Sequence, residues 1–312
     1  MIKTVASLEL PVGERLMIKK NSIRPLSCTG REKRFCIVTG THGDELEGQY
    51  VCYELNRRIQ AEMEHLKGIV EIYPALNPLG IDTVTRAFPM VDVDMNRIFP
   101  GTQNGSVAEL MAAQIVDDLV GADMCVDIHA SNIYIREIPQ VRMNESTSEH
   151  LLPYAKLLNT DFIWVHQAST VMESTLAHSM NMMGVPTLVV EMGVGMRITE
   201  KFCLQLVDGI FCLMKEMGIW DGEVITPKQP IVSLGGEVGL VNAGTSGLFV
   251  SQVKHRHNIR KGEVIGEIVN PLDGTVLETL YAPCDGLIFT LRAYPIVENG
   301  ALIARILGGG EQ

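Results

Sequence analysis

The chain has 312 residues, room for a large α/β enzyme fold and a small appendage. Apolar residues make up 46% and charged residues 20%, the balance of a globular protein with a sizeable core, and no run approaches the ~18 apolar residues of a membrane span. The formal net charge of −11 argues against nucleic acid as a partner, because phosphate binding needs a basic surface.

In chain order, residues 1–34 read as strand-rich with a turn near Pro25, and the segment MIKTVASLELPVGERL lacks the apolar stretch of a signal peptide. The run Phe35–Thr39 predicts a buried strand ending at Gly40, followed by a helix from about Glu45 to Glu64. Residues 68–73 predict another strand, stopped by Pro74 and Pro78. From Ile81 to Asn104 the sequence is rich in Gly, Pro, Asp and Asn with little periodicity. That pattern predicts a long ordered loop, a feature that is usually functional inside a compact domain.

Helical spacing returns over Val107–Val120, with Leu110, Met111, Ile115, Val116 and Leu119 on one face. Met124–Ile128 reads as a strand. Helices near 148–158 and 173–183 bracket a strand around Phe162–Val165, and Pro186–Val190 is a continuous apolar strand. Thr199 is placed to cap a final amphipathic helix reaching about Met217. Strands alternating with helices predict an α/β fold: a mixed sheet with helices on both faces. Beyond Trp220, short β-type runs punctuated by glycine replace the helical spacing. The pattern divides the chain into an α/β part, residues 1–222, and a small all-β part, residues 223–312. The seven cysteines (Cys28, Cys36, Cys52, Cys125, Cys203, Cys212 and Cys284) form no C-x-x-C pair. They read as core thiols in a reducing cytoplasm.

Chemistry concentrates at strand ends. His42-Gly-Asp-Glu45 follows a buried strand, and a turn there can curl residues i and i+3 toward one point, with Gly40 and Gly43 permitting the tight backbone. Imidazole and carboxylate are ready zinc ligands, and a catalytic zinc site usually has three protein ligands. His129, ending the strand that carries Asp127, is the expected third, with Asp127 placed to orient a ligand. Both histidines fall at strand C-termini, where open α/β sheets place their sites. Glu191 follows Thr-Leu-Val-Val. A carboxylate there is costly unless it faces a pocket or a partner, and beside a zinc site it would be a general base. Taken singly, each feature has an ordinary explanation: H-x-x-E arises by chance, His129 fits a core histidine, and Glu191 fits a buried ion pair. Their joint occurrence at strand ends favours the site. In the 81–104 loop, Asn96 and Arg97 are candidates to hold a substrate carboxylate and Arg86 to stabilise an oxyanion, although these arginines also suit neutralisation of Asp92 and Asp94.

His42-x-x-Glu45, Arg86, Asn96-Arg97, His129 and Glu191, in that order across roughly residues 35–195, resemble the succinylglutamate desuccinylase/aspartoacylase family, a branch of the zinc carboxypeptidase superfamily. The resemblance implies a zinc-carboxypeptidase-like sheet and one Zn2+ per chain on His42, Glu45 and His129. It also implies Glu191 as base, Arg86 beside the oxyanion, and Asn96-Arg97 for the substrate carboxylate. Family members acting on acidic acyl-amino acids carry another arginine shortly before the catalytic glutamate. Here Ser179–Val190 contains no basic residue, and Arg136, Arg142 and Arg197 are the candidates to replace it.

In the all-β part, the runs beginning at Ile259, Ala282 and Val297 resemble a biotinyl/lipoyl-type barrel-sandwich. The interval Val269–Val276, where such domains carry their cofactor lysine, has none, so a swinging-arm role is not expected. The Lys254–His257 cluster reads as a solvated hairpin. His65, His150, His166 and His178 lack partner spacing and read as structural or surface residues.

The expected function is zinc-dependent hydrolysis of the amide bond of an N-acyl amino acid. Two alternatives stand beside it: a small zinc carboxypeptidase on short peptides, and a non-catalytic metal- or ligand-binding protein. The expected partner is a small-molecule N-acyl amino acid or short peptide, without nucleic acid or membrane, and assembly into a homo-oligomer is left open.

Overall fold

The computed structural model describes residues 1–166, 173–234 and 238–308. β1 (Ile2–Glu9) and β2 (Arg15–Ile23) form an antiparallel ribbon. β3 (Arg34–Thr39) leads into α1 (Glu47–Ala61), then β4 (Ile69–Tyr73) and the short α2 (Pro78–Thr83). α3 (Val107–Leu119) starts at a capping box in which Ser106 and Glu109 satisfy each other's backbone N–H groups, the arrangement that ends the preceding loop. β5 (Met124–Ala130), β6 (Ile135–Asn144), α4 (Glu145–Ala155), β7 (Phe162–His166), α5 (Leu176–Met182), β8 (Thr187–Gly193) and α6 (Glu200–Glu216) complete the helical part.

These strands order as β1-β2-β4-β3-β5-β8-β6, with β7 beside β6. β3 runs parallel to both β4 and β5, and β5 parallel to β8, whereas β6 is antiparallel to β8. Period-two alternation sends neighbouring side chains of β3 to opposite layers. Phe35 and Ile37 pack with Val51, Leu55 and Ile59 of α1 and Leu206 and Ile210 of α6. Cys36 and Val38 pack with Met111 and Ile115 of α3 and Leu176 and Met180 of α5. The sheet is therefore mixed and covered on both faces, as the alternation of elements predicts. Each fully buried Leu, Ile or Phe contributes roughly 1.5–3 kcal/mol.

β6 has no counterpart in the sequence reading. Pro139 breaks its ladder, and the register shifts between Glu137 and Gln140, so it does not alternate cleanly. Two further differences matter for chemistry. β5 and β8 extend to Ala130 and Gly193, which puts His129 and Glu191 inside strands instead of just beyond them. The 81–104 loop carries a 3-10 turn, Met95–Arg97, and is pinned by buried Phe88, Met95 and Phe99.

After α6 come β9 (Ile231–Leu234), β10 (Val238–Asn242), β11 (Gly247–Ser251), β12 (Asn258–Ile259), β13 (Val264–Asn270), β14 (Thr275–Tyr281), β15 (Gly286–Arg292), β16 (Ile296–Val297) and β17 (Leu302–Gly308). β14-β13-β11-β16 form a second sheet. β15-β17-β10 instead continue the first one, because β15 pairs antiparallel with β6 through Thr290 and Glu137, and β9 pairs with β7. Phe162 and Phe289 pack at this junction with ring centroids 5.1 Å apart. The change of sequence pattern near residue 220 is thus not a break in the hydrogen-bonded sheet. No helix among the described residues is long and apolar enough to cross a membrane.

The 254–257 hairpin is not uniformly solvated. Lys254 and His257 are exposed, but Arg256 donates to Asp161 at 2.6 Å and the His255 ring lies 6.1 Å from that of Phe202 on α6. Burial pushes the His255 imidazole down to about 4, with Arg136 and Arg256 adding to the effect against a backbone contact at Phe289 and the charge of Glu137. The folded state therefore holds this ring neutral where the unfolded chain, with a value near 6.5, binds a proton. That stability is complete above pH ~6.5 and is lost as pH falls toward 4, on the order of 2–3 kcal/mol for this group. Thermal melts at pH 7 and pH 4.5 should therefore show a smaller acid-induced drop for His255→Gln than for the native chain. Equal drops would remove His255 as a source of acid lability.

Candidate active site

The loop from Gly40 to Leu46 lies against residues 74–81 closely enough to demand glycine. Gly40 has φ +69°, and a Cβ on it would meet Pro74 O at 2.9 Å; a Cβ on Gly43 would stand 1.9 Å from the Gly80 carbonyl carbon. This turn carries His42 and Glu45 inward, both buried, before α1 begins at Glu47. It also explains why the helix starts two residues later than its sequence suggests.

Glu45 sits between two imidazoles. Its Oε1 lies 2.7 Å from His42 Nδ1, and its Oε2 lies 3.0 Å from His129 Nδ1 and accepts from the Ala130 backbone N at 3.0 Å. One ligand atom from each of His42, Glu45 and His129 falls within 4.8 Å of the others. The outer nitrogens face carboxylates: His42 Nε2 is 3.0 Å from Asp94 Oδ1, and His129 Nε2 is 3.2 Å from Asp127 Oδ2. With a cation at the common point, carboxylates at the outer nitrogens would favour protons there and lone pairs on the inner nitrogens.

Charge makes the same demand. Burial opposes the ionised form of Glu45, yet the neighbouring His42 and His129 hold its carboxyl well below the usual range. Burial likewise opposes protonation of the two histidines. Glu45 and Asp94 nevertheless raise His42, and Asp127 and Glu45 raise His129. Three carboxylates around two imidazoles require compensating positive charge, which protons or one divalent cation can supply. Beyond the 3.2 Å approach of Oδ2 to His129 Nε2, the buried Asp127 oxygens form no well-aligned hydrogen bond, so the donor set fits a cation better than it fits a closed hydrogen-bond network.

β5 and β8 pair with His129 directly opposite Glu191, which sets that carboxylate beside the cluster. Burial pushes Glu191 up to about 7, against the opposing charge of Arg142. Arg86 reaches Glu45 at 3.2 Å and Asp94 at 3.1 Å, so the neutralising role for Asp94 and a place beside the His42–Glu45–His129 cluster are one arrangement. Asn96 Oδ1 accepts from Leu176 N at 2.9 Å, which turns its NH2 group away from α5, and Arg97 Nη1 donates to the Asn96 carbonyl at 2.8 Å.

All seven sequence-predicted residues (His42, Glu45, Arg86, Asn96, Arg97, His129 and Glu191) line one cavity of about 540 Å³. So do His166 and His178, which the sequence reading left as structural or surface residues. Of the three arginines considered for the empty position before Glu191, Arg142 lines the cavity, 3.5 Å from Glu191. Arg136 and Arg197 are exposed and lie elsewhere. Sequence reasoning missed Asp94 as a partner of His42, together with Glu137 and Arg305. Asp94 carried a signal, since it opens the Asp-Met-Asn-Arg run; Arg305 carried none, being placed only by the pairing of β15 with β6 and β17.

Residues 31–217 match the succinylglutamate desuccinylase/aspartoacylase catalytic domain family. The N-alpha-acetyl-L-2,4-diaminobutyric acid deacetylase of Halomonas elongata is 26% identical over 278 residues, 86% of this chain and 80% of the relative. The crystal structure of a succinylglutamate desuccinylase/aspartoacylase from Rhodobacter sphaeroides superposes with a TM-score of 0.79 at 23% identity, covering 100% of this chain and 96% of that one. The product-bound ectoine utilization protein EutE (DoeB) from Ruegeria pomeroyi gives 0.80 at 20% identity, covering 97% and 93%.

The His42–Glu45–His129 group could hold a metal ion, and removing the charge that faces either outer nitrogen should weaken its capture. With zinc as the probe metal, Asp127→Asn and Asp94→Asn should each bind about 10- to 100-fold more weakly than the native chain, measured by competition with a chromophoric chelator. Unchanged affinity in both would mean that the two carboxylates serve only the fold.

Proposed function

The chain belongs to the succinylglutamate desuccinylase/aspartoacylase family, and from that membership and the geometry of the site we propose that it is a zinc-dependent deacylase of N-acyl amino acids. The observation that carries the reading is the convergence of the His42–Glu45–His129 cluster, Glu191 and the Asn96–Arg97 pair on one cavity. The acetyl-amino acid named for the Halomonas relative supports the substrate class.

His42, Glu45 and His129 would hold one zinc ion, which supplies a Lewis acid for the acyl carbonyl and acidifies water. The substrate carboxylate docks on the Asn96 side-chain NH2 and the Arg97 guanidinium, and this contact fixes the scissile amide in the cavity. Arg86 donates to the oxygen that gains charge as the carbonyl carbon becomes tetrahedral. Glu191 accepts the proton of the attacking water and passes it to the nitrogen as the C–N bond breaks, giving a carboxylic acid and a free amino acid. A residue nearly enclosed on a strand suits that task, because burial keeps its carboxylate basic. On this reading the all-β residues 223–312 form a second module that closes one side of the cavity through Arg305, and the reaction belongs to the cytoplasm.

The zinc-loaded chain should release free amine from N-acetyl amino acids, with N-alpha-acetyl-2,4-diaminobutyrate in the panel. Glu191→Gln should keep its zinc and lose roughly 10²–10⁴-fold in kcat. Asn96→Ala and Arg97→Ala should act mainly on KM. Cleavage of short peptides but no acyl-amino acid would replace the reading with a carboxypeptidase. Zinc binding without turnover of either class would leave a binding protein.

A further inference from the structure

Glu137 plays no part in the chemistry above, yet it is one of the most heavily bonded groups in the molecule. It is almost wholly buried on β6, next to the cavity. Arg142 Nη2 donates to both of its oxygens at 2.7 Å, Arg305 Nη1 donates at 2.9 Å, and Thr290 Oγ1 donates at 3.1 Å. Arg305 and Thr290 come from β17 and β15, so the C-terminal strands share this carboxylate's Oε1 with Arg142.

Arg142 stands between two acids and treats them unequally. Its Nη2 is committed to Glu137, while its Nη1 reaches Glu191 Oε1 only at 3.5 Å, the outer limit of a hydrogen bond. A short charge-assisted guanidinium–carboxylate contact, here one nitrogen shared between two oxygens, is stronger than a neutral hydrogen bond. If Arg142 turned its fork to Glu191 instead, a lone pair on each oxygen of that carboxylate would be engaged. The guanidinium also lies over the Trp164 ring, 5.5 Å from its centroid, with Arg305 at 5.8 Å from the same ring. With Nη1 already 3.5 Å from Glu191, only a short pivot separates Arg142 from that carboxylate.

We infer that Glu137 is a positioning residue that holds Arg142 off Glu191, and that Thr290 and Arg305 of the C-terminal strands keep Glu137 in place to do so. The inference rests on the reading of Glu191 as the base. It makes the all-β segment a part of the catalytic arrangement without any of its residues taking part in proton transfer.

Two measurements on the full-length zinc-loaded chain test it. In a crystal structure of Glu137→Gln, the Arg142 guanidinium should move onto Glu191 and shorten the 3.5 Å contact to below 3 Å. An Arg142 that stays on the substituted side chain overturns the inference, whatever the enzyme's substrate. In steady-state kinetics on an N-acetyl amino acid, Glu137→Gln should lose roughly 10- to 100-fold in kcat, the size of coupling between contacting side chains, with KM and zinc content little changed. Adding Arg142→Gln to it should restore most of that loss. A double variant as slow as Glu137→Gln, or slower, marks a merely structural role and refutes the proposal. Should Glu137→Gln not fold, Thr290→Val and Arg305→Met must each lower kcat and be rescued by Arg142→Gln. A native chain with no amine release from any acyl-amino acid sinks the deacylase reading by itself, and the crystal structure then still decides this one.

Discussion

The structure depends on one electrostatic constraint: three carboxylates crowd two buried imidazoles at the C-terminal edge of parallel strands. Glu45 lies between the rings, and Asp94 and Asp127 face their outer nitrogens. Uncompensated burial of that much negative charge would cost several kcal/mol per group. The site can persist only where positive charge enters it, and where the backbone is rigid enough to stop the groups from relaxing into solvent. The second condition accounts for much of the local architecture. It accounts for glycines at 40 and 43, for a loop pinned by Phe88, Met95 and Phe99, and for His42 and Glu45 on a tight buried turn with His129 on a buried strand.

The same constraint determines how far the sequence can be read. β3, α1, α3, β5, β8 and α6 follow clean apolar periods because each packs one face or two into a core, and their sequences carry little else. His42, Glu45, His129 and Glu191 stood out because charge after an apolar run is conspicuous. β6 was illegible for the converse reason. Residues 135–144 interleave Arg136, Glu137, Pro139, Gln140 and Arg142 with apolar positions, and nothing local says that Glu137 and Arg142 satisfy each other. Ends of strands shifted by two or three residues because apolar runs stop at the first chemical residue, whereas hydrogen bonding continues through it. Arg305 needed the whole fold, since it meets Glu137 across 168 positions of sequence.

That long-range meeting changes how the C-terminal strands are understood. By composition they look like an attached carrier module from which the carrier lysine is missing. In the fold, β15 continues the sheet that carries Glu191, through the antiparallel pairing of Thr290 with Glu137. Cutting the chain near residue 222 would expose the edge of β6 and remove two of the three partners of a buried acid. Leaving such a charge under-satisfied is strongly destabilising. The appended segment and the hydrolase-like segment are therefore one thermodynamic unit at this seam, whatever their separate histories.

The arginines of the cavity divide along the same line. Arg142 and Arg305 are held by Glu137, and Arg86 by Glu45 and Asp94, so their charges are largely neutralised before any ligand arrives. Arg97 is different: it is exposed and donates to a backbone carbonyl, which leaves its charge without a counter-ion among the described residues. The stretch before Glu191, where the family resemblance leads one to expect an arginine for acidic substrates, holds no basic residue here, and Asn181, Met182 and Thr187 of that stretch line the cavity. The uncommitted positive charge thus sits beside Asn96, at the part of the cavity proposed to take a single carboxylate. A ligand with one carboxylate meets a matching charge there, whereas a second carboxylate placed near Glu191 would have to compete with Glu137 for guanidinium groups already bound at 2.7 and 2.9 Å. On the proposed reading, the arrangement of ion pairs, more than the size of the cavity, is what would distinguish one-carboxylate from two-carboxylate ligands.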